Sequence, residues 1–131
     1  MAFVFRLSEI AERVAPAPYT RYAKAVFDHN SIAETPLSIG YFRLEPGQSG
    51  PKHLHENEVE VYIVLQGNGK VTVGEEAVAL HPGTVVYVPP EIEHQTINTG
   101  TCDLEFYGVF SPCLDFTAMK SWPKAAEEGK K

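Results

Sequence analysis

The chain is poor in cysteine, in basic residues and in long apolar runs, and each shortage removes a class of protein. Cysteine occurs twice in 131 residues, at Cys102 and Cys113. These two flank a predicted strand, which holds its ends too far apart for a disulfide. The expectation is two buried thiols, neither bridged nor ligating a metal. Lysine and arginine number 11 against 17 acidic residues, a formal net charge of −6. Nucleic acid is bound through a basic footprint, so that partner class is excluded. No stretch approaches the roughly 20 apolar residues that span a bilayer. The opening MAFVFRLSEIAERV meets Arg6 and Glu9 too early for the apolar core of a secretory leader. A soluble cytoplasmic protein is the expectation.

Helical periodicity is also nearly absent. In its place are short alternating runs punctuated by glycine and proline. The first, within YTRYAKAVFD, precedes a polar turn-rich stretch from His29 to Pro36. LSIGYFRL (37–44), EVEVYIVLQ (58–66), residues 70–73, 77–80, TVVYV (84–88), 94–98 and 103–110 follow. The repertoire predicts an all-β sandwich or barrel in a single domain. Residues 1–19 read as an N-terminal arm with a one-turn helix capped by Ser8. Residues 20–114 read as the barrel, and 115–131 as a tail that is frayed from Lys120.

The strand from Glu58 carries two messages. Glu58, Glu60, Tyr62 and Val64 share one face. Val59, Val61, Ile63 and Leu65 share the other, which is wholly aliphatic and needs a cover. A second copy of the chain, giving a homodimer, is the preferred cover; the N-terminal segment is the alternative.

The stretch from Gly47 to Gly67, GQSGPKHLHENEVEVYIVLQG, concentrates the chemistry. His53 and His55 stand one residue apart and can aim at one point on extended chain. Glu60 heads the strand, and His94 supplies a further imidazole later. A lone buried histidine is more often a satisfied core residue than a ligand. Three imidazoles and a carboxylate suit a borderline divalent metal: iron, manganese, nickel, zinc, cobalt or copper.

These residues resemble the cupin family. Gly47, His53, His55, Glu60 and Gly67 fit its first motif; Gly83, Pro89, His94 and Asn98 fit its second. One position departs, since Glu91 stands where the family has glycine. A non-glycine residue there carries a steric penalty if the turn needs positive φ. The resemblance implies a double-stranded β-helix, the jelly-roll cupin barrel, with the metal in its mouth on His53, His55, Glu60 and His94. The chain is also similar to small stand-alone cupins labelled sugar-phosphate-isomerase-like.

Around the site, Glu58 reads as an acid–base candidate, an alternative metal ligand or a solvated rim carboxylate. Tyr62 reads as a hydrogen-bond donor to substrate or as core. Asn98 is expected to orient its loop through side-chain to backbone bonds. Arg43 would anchor an anionic substrate if its face pointed inward, whereas Glu91 and Glu93 beside His94 would make the mouth acidic. His29 and His81 read as solvated. Two functions fit. One is a metalloenzyme on a small organic molecule, either a dioxygenase or a Lewis-acid isomerase, decarboxylase or lyase. The other is a non-catalytic, metal-dependent binding protein for a sugar or organic acid.

Overall fold

A computed structural model describes residues 2–126. A 3-10 turn (Leu7–Glu9) leads into nine strands: β1 (Arg13–Val14), β2 (Tyr22–Phe27), β3 (Ser38–Leu44), β4 (Val59–Gln66), β5 (Gly69–Val73), β6 (Glu76–Leu80), β7 (Val85–Val88), β8 (His94–Ile97) and β9 (Leu104–Ser111). One short helix, α1 (Thr117–Lys120), follows. The larger sheet runs β1-β2-β3-β9-β4-β7 and the smaller β6-β5-β8, with every pairing antiparallel. This is the expected all-β jelly roll. Among the described residues no helix is long and apolar enough to cross a membrane.

Alternation sets what faces inward. On β3, Phe42 and Leu44 point between the sheets; on β9, Leu104, Phe106 and Phe110 do so; on β4, Glu60, Tyr62 and Val64 do so. Val71, Leu80, Val86 and Val88 close the same core from the other strands. Each fully buried Leu or Val contributes about 1.5–3 kcal/mol by leaving water. Tyr62 stacks on Phe106 with ring centroids 4.8 Å apart, so the core continues to the floor of the barrel mouth.

A second cluster sits beside that mouth. Phe116 and Met119, from the segment around α1, pack with Phe110 and Ala23, and Trp122 joins them. This corrects the expected fraying from Lys120. The Val14 N–H donates to the Pro123 carbonyl (2.8 Å), the Ala125 N–H donates to the Glu12 carbonyl (2.8 Å), and Arg13 bridges Lys124. Residues 127–131 lie outside the described region. The anchor of α1 is Asp28, which is fully buried and accepts bonds from the Phe116 N–H (2.9 Å) and Lys120 Nζ (3.2 Å).

Three smaller expectations need correction. Ser8 lies inside its 3-10 turn and caps nothing; Arg6 holds the N-cap position without a side-chain bond. The cysteines are unbridged as expected, but Cys102 is exposed and Cys113 only half-buried. Arg43 faces away from the mouth. It meets Glu12 through Nη2 and Nε (2.9 and 3.0 Å), Asp103 (3.0 Å) and Glu45 (3.5 Å), and stacks 3.9 Å from the Tyr22 ring centroid.

Candidate metal centre

Two segments meet to build the site. The loop before β4 carries His53 and His55; it lies against the start of β8, which carries His94. The His53 N–H donates to the His94 carbonyl (3.0 Å) and the His94 N–H returns a bond to the His53 carbonyl (2.8 Å). The turn before His94 is tied in as well. Glu91 adopts φ 67°, the left-handed conformation in which a side chain is strained. Its N–H donates to the His55 carbonyl at 2.7 Å. The departure from the family motif thus leaves the left-handed turn in place, with a carboxylate side chain on it.

Opposite stands Glu60 on β4, 4% exposed. Gly108 on β9 leaves the space behind it: a Cβ there would come within 2.9 Å of Glu60 Oε2. His53, His55, Glu60 and His94 each present one donor atom, and these atoms all lie within 4.8 Å of one another. This group is able to hold a metal ion.

The hydrogen bonds support that capacity. His53 Nδ1 lies 2.8 Å from the Pro51 carbonyl and His94 Nδ1 lies 3.0 Å from the Ile92 carbonyl. A carbonyl only accepts, so each Nδ1 carries the proton and each Nε2 is turned inward. Glu60 Oε1 is 3.0 Å from His94 Nε2 and 3.2 Å from His55 Nε2. With Nδ1 protonated, a neutral His94 would face the carboxylate lone pair to lone pair. Positive charge between them, a proton or a divalent cation, removes that conflict. The pKa directions follow the same pattern. Burial raises the Glu60 pKa, but the two imidazoles outweigh it and hold the carboxyl below its ordinary range. Burial lowers His53. Burial would lower His94 too, yet the bonds to Glu60 and Ile92 raise it.

His94 is buried behind His53, His55 and Glu60, which line a cavity of about 240 Å³. Phe42, Phe106, Phe110, Phe116, Met119 and Trp122 supply most of its apolar wall, and Arg21 is its cation outside the histidines. That volume suits a small molecule. A larger groove of about 850 Å³ lies between the N-terminal arm and the outer face of the big sheet. Its Arg43 is already matched by carboxylates, and it is lined by none of the four donors.

The other candidates fall as follows. Tyr62 lines the cavity, but its hydroxyl is paired with Thr96 Oγ1 at 2.8 Å. Burial drives the phenol pKa well above its ordinary value, with the Glu60 charge adding to the rise. Glu58 precedes β4, half-buried, and is not among the residues lining the cavity. Glu91 and Glu93 are exposed and do not line the cavity. Asn98 binds the Leu44 and Cys102 carbonyls (2.8 and 2.9 Å) and receives the Gly100 N–H, as its expected loop-orienting role requires. Sequence reasoning passed over Arg21, Asp28 and the wall formed by Phe116, Met119 and Trp122. No local pattern marks a residue whose partners arrive from the far end of the chain.

Comparison with known proteins agrees with this geometry. The Cupin_2 family model, a cupin domain, matches residues 40–110. A glucose-6-phosphate isomerase of Pyrococcus horikoshii is 33% identical over 115 residues, covering 78% of this chain and 59% of that enzyme. This chain thus spans less than two thirds of the isomerase. An oxalate-binding protein of Thermotoga maritima is 37% identical over 67 residues, 51% of this chain and 55% of the relative. Among solved structures, a predicted oxalate decarboxylase from Thermotoga maritima superposes with a TM-score of 0.77 at 26% identity, covering 84% of this chain and 99% of that one.

Proposed function

Because the chain belongs to the cupin superfamily through its Cupin_2 domain, we propose that it is a divalent-metal enzyme acting on a small organic molecule. His53, His55, Glu60 and His94 are the proposed ligands. The observation that carries the reading is the convergence of those four donors, three of which (His53, His55 and Glu60) line a small, largely apolar cavity. When bound, a divalent transition metal would supply Lewis acidity, and a redox-active one would also give access to dioxygen chemistry.

The rest of the wall narrows the reaction. Aldose–ketose isomerisation through an enediol needs a group that takes and returns a proton. Tyr62 is committed to Thr96 with a raised pKa. Asp115, the other lining acid, is exposed and bonded through Oδ1 to the Thr117 N–H (2.7 Å) and hydroxyl (2.5 Å). It is a weaker base than usual, since those bonds lower its pKa. Glu58 stands outside the wall. Chemistry centred on the metal, with dioxygen as co-substrate, therefore fits better than sugar-phosphate isomerisation. The same shortage of proton carriers suits the second reading, capture of an organic acid without turnover.

One measurement separates them. The metal is identified by elemental analysis of the purified protein. Oxygen consumption by the iron-loaded protein is then followed across diketones, thiols, catechols and carboxylic acids. Uptake with one class supports the oxygenase reading; ligand-dependent thermal shifts without uptake or product support the binding reading.

We also propose that the chain pairs with a second copy through the outer face of β4 and β7. There Ile63, Leu65, Val85 and Tyr87 are 36%, 41%, 62% and 63% exposed. The N-terminal arm covers a different part of the sheet, where Phe5 stacks on Phe27 and Lys24 binds the Leu7 carbonyl. Sedimentation at micromolar concentration should return twice the 14.5 kDa chain mass. A monomer would remove this proposal.

A further inference from the structure

Arg21 is unlike Arg43. Arg43 is surrounded by three carboxylates on the outside of the barrel. Arg21, half-buried just before β2, lines the same cavity as His53, His55 and Glu60. Its Nη1 donates to the Tyr19 carbonyl at 2.9 Å, and its guanidinium carbon lies 5.4 Å from the Trp122 ring centroid. Among the described residues it forms no ion pair with any carboxylate. Asp115 shares the cavity but bonds to Thr117 instead. A partly desolvated guanidinium without a counter-ion is costly unless an anion completes it. Consistently, burial lowers the Arg21 pKa.

We infer that Arg21 is the anchor for the carboxylate of the substrate, and that the substrate is a small monocarboxylic acid with an apolar body. The guanidinium fork matches a carboxylate in two parallel bonds. One fork satisfies a monoanion. A phosphate dianion would want further donors, and the neighbouring wall is Phe42, Phe110, Phe116, Met119 and Trp122. That wall receives a hydrocarbon or aromatic body and offers little to a polyol. With the acid held at Arg21, the far end of the molecule is directed toward the four donors. This assignment rests on the metal-enzyme reading above and names its substrate class.

The test compares three probes: 3-phenylpropionate, its neutral amide, and phenyl phosphate. Trp122 is the chain's one tryptophan and stands in the cavity wall, so its fluorescence reports occupancy. Calorimetry gives the same constants independently of any change in the tryptophan's surroundings. Metal-loaded wild type should prefer the acid over the amide by roughly tenfold or more, the worth of a charge-assisted hydrogen bond. Phenyl phosphate should bind more weakly than the acid. Arg21→Met should abolish the preference with metal content and fold unchanged, and Arg21→Lys should keep part of it. Three results overturn the inference: no binding of the acid, tighter binding of phenyl phosphate, or an undiminished acid preference in Arg21→Met. The last would place the carboxylate on the metal and leave the metal reading standing. Conversely, a Glu60→Gln protein that has lost metal yet still prefers the acid through Arg21 would uphold the anchor apart from the metal.

Discussion

Glutamine in place of Glu60 is expected to strip the protein of its divalent metal. Glu60 is the one anionic donor in the group, and it is desolvated at 4% exposure. Its Oε1 lies 3.0 and 3.2 Å from the inward nitrogens of His94 and His55. Glutamine keeps the volume and a carbonyl oxygen, so the fold should survive. It removes the charge, and an uncompensated cation beside three neutral imidazoles is poorly held. The loss in affinity should be on the order of a thousandfold, the scale of breaking a buried ion pair from one side. The checks are metal content and melting temperature. At a hundred times the dissociation constant, metal should raise the wild-type melting point on the order of 10 °C. The variant should show no rise at that concentration. Full metal occupancy in Glu60→Gln would contradict the assignment of the four ligands.

The second large effect is expected far from the metal. Asp28 is fully buried and holds the Phe116 N–H, Lys120 Nζ and both the backbone and side chain of Asn30. Asp28→Ala leaves the Phe116 N–H unpaired and frees α1. The cost should be about 3 kcal/mol, or a fall of roughly 10 °C in melting temperature. Asp28→Asn, which keeps an acceptor oxygen, should lose less. Because the segment around α1 carries Phe116 and Met119 into the cavity wall, Trp122 should also become accessible to iodide quenching. Unchanged quenching would show that α1 does not depend on Asp28.

The pH dependence has a definite sign. Burial would raise the Asp28 pKa, but its bonds from Phe116, Asn30 and Lys120 outweigh burial and hold it below the ordinary 3.8. A carboxylate with a lower pKa in the folded state stabilises that state above its unfolded value. The contribution is lost as pH falls through the lower, folded value. Acid should therefore loosen α1 only below about pH 3.8, and Asp28→Ala should lack this transition.

The strands were legible because they alternate. LSIGYFRL and VEVYIVLQ declare their period of two, and the structure places β3 and β4 within a residue of the expected bounds. Three of the four donors were legible because their spacing is local: His53, His55 and Glu60 lie within one loop and strand; His94 was legible only through the second motif. The phase of β3 was not. Tyr41, Phe42, Arg43 and Leu44 offer bulky residues on both faces, and only pairing with β9 settles that Phe42 and Leu44 go inward. Hence the sequence left open whether Arg43 faces the mouth. Arg21 precedes its strand by one residue and shows no pattern. Its companion Trp122 is a hundred positions away. α1 has four residues, too few for a helical period, and it is held by a carboxylate 88 positions upstream. Long-range partners of this kind leave no trace in local composition.

The backbone bonds that join His53, His55, Glu91 and His94 bear on which element the proposed site would take. Three amide-to-carbonyl links fix the histidine segments to each other through main chain alone. The entropy of gathering those imidazoles is met when the chain folds, not when an ion arrives. Loading and exchange can thus proceed on the finished barrel. Among ions of similar size, occupancy would then follow their relative abundance in the surrounding medium as much as any preference of the cage.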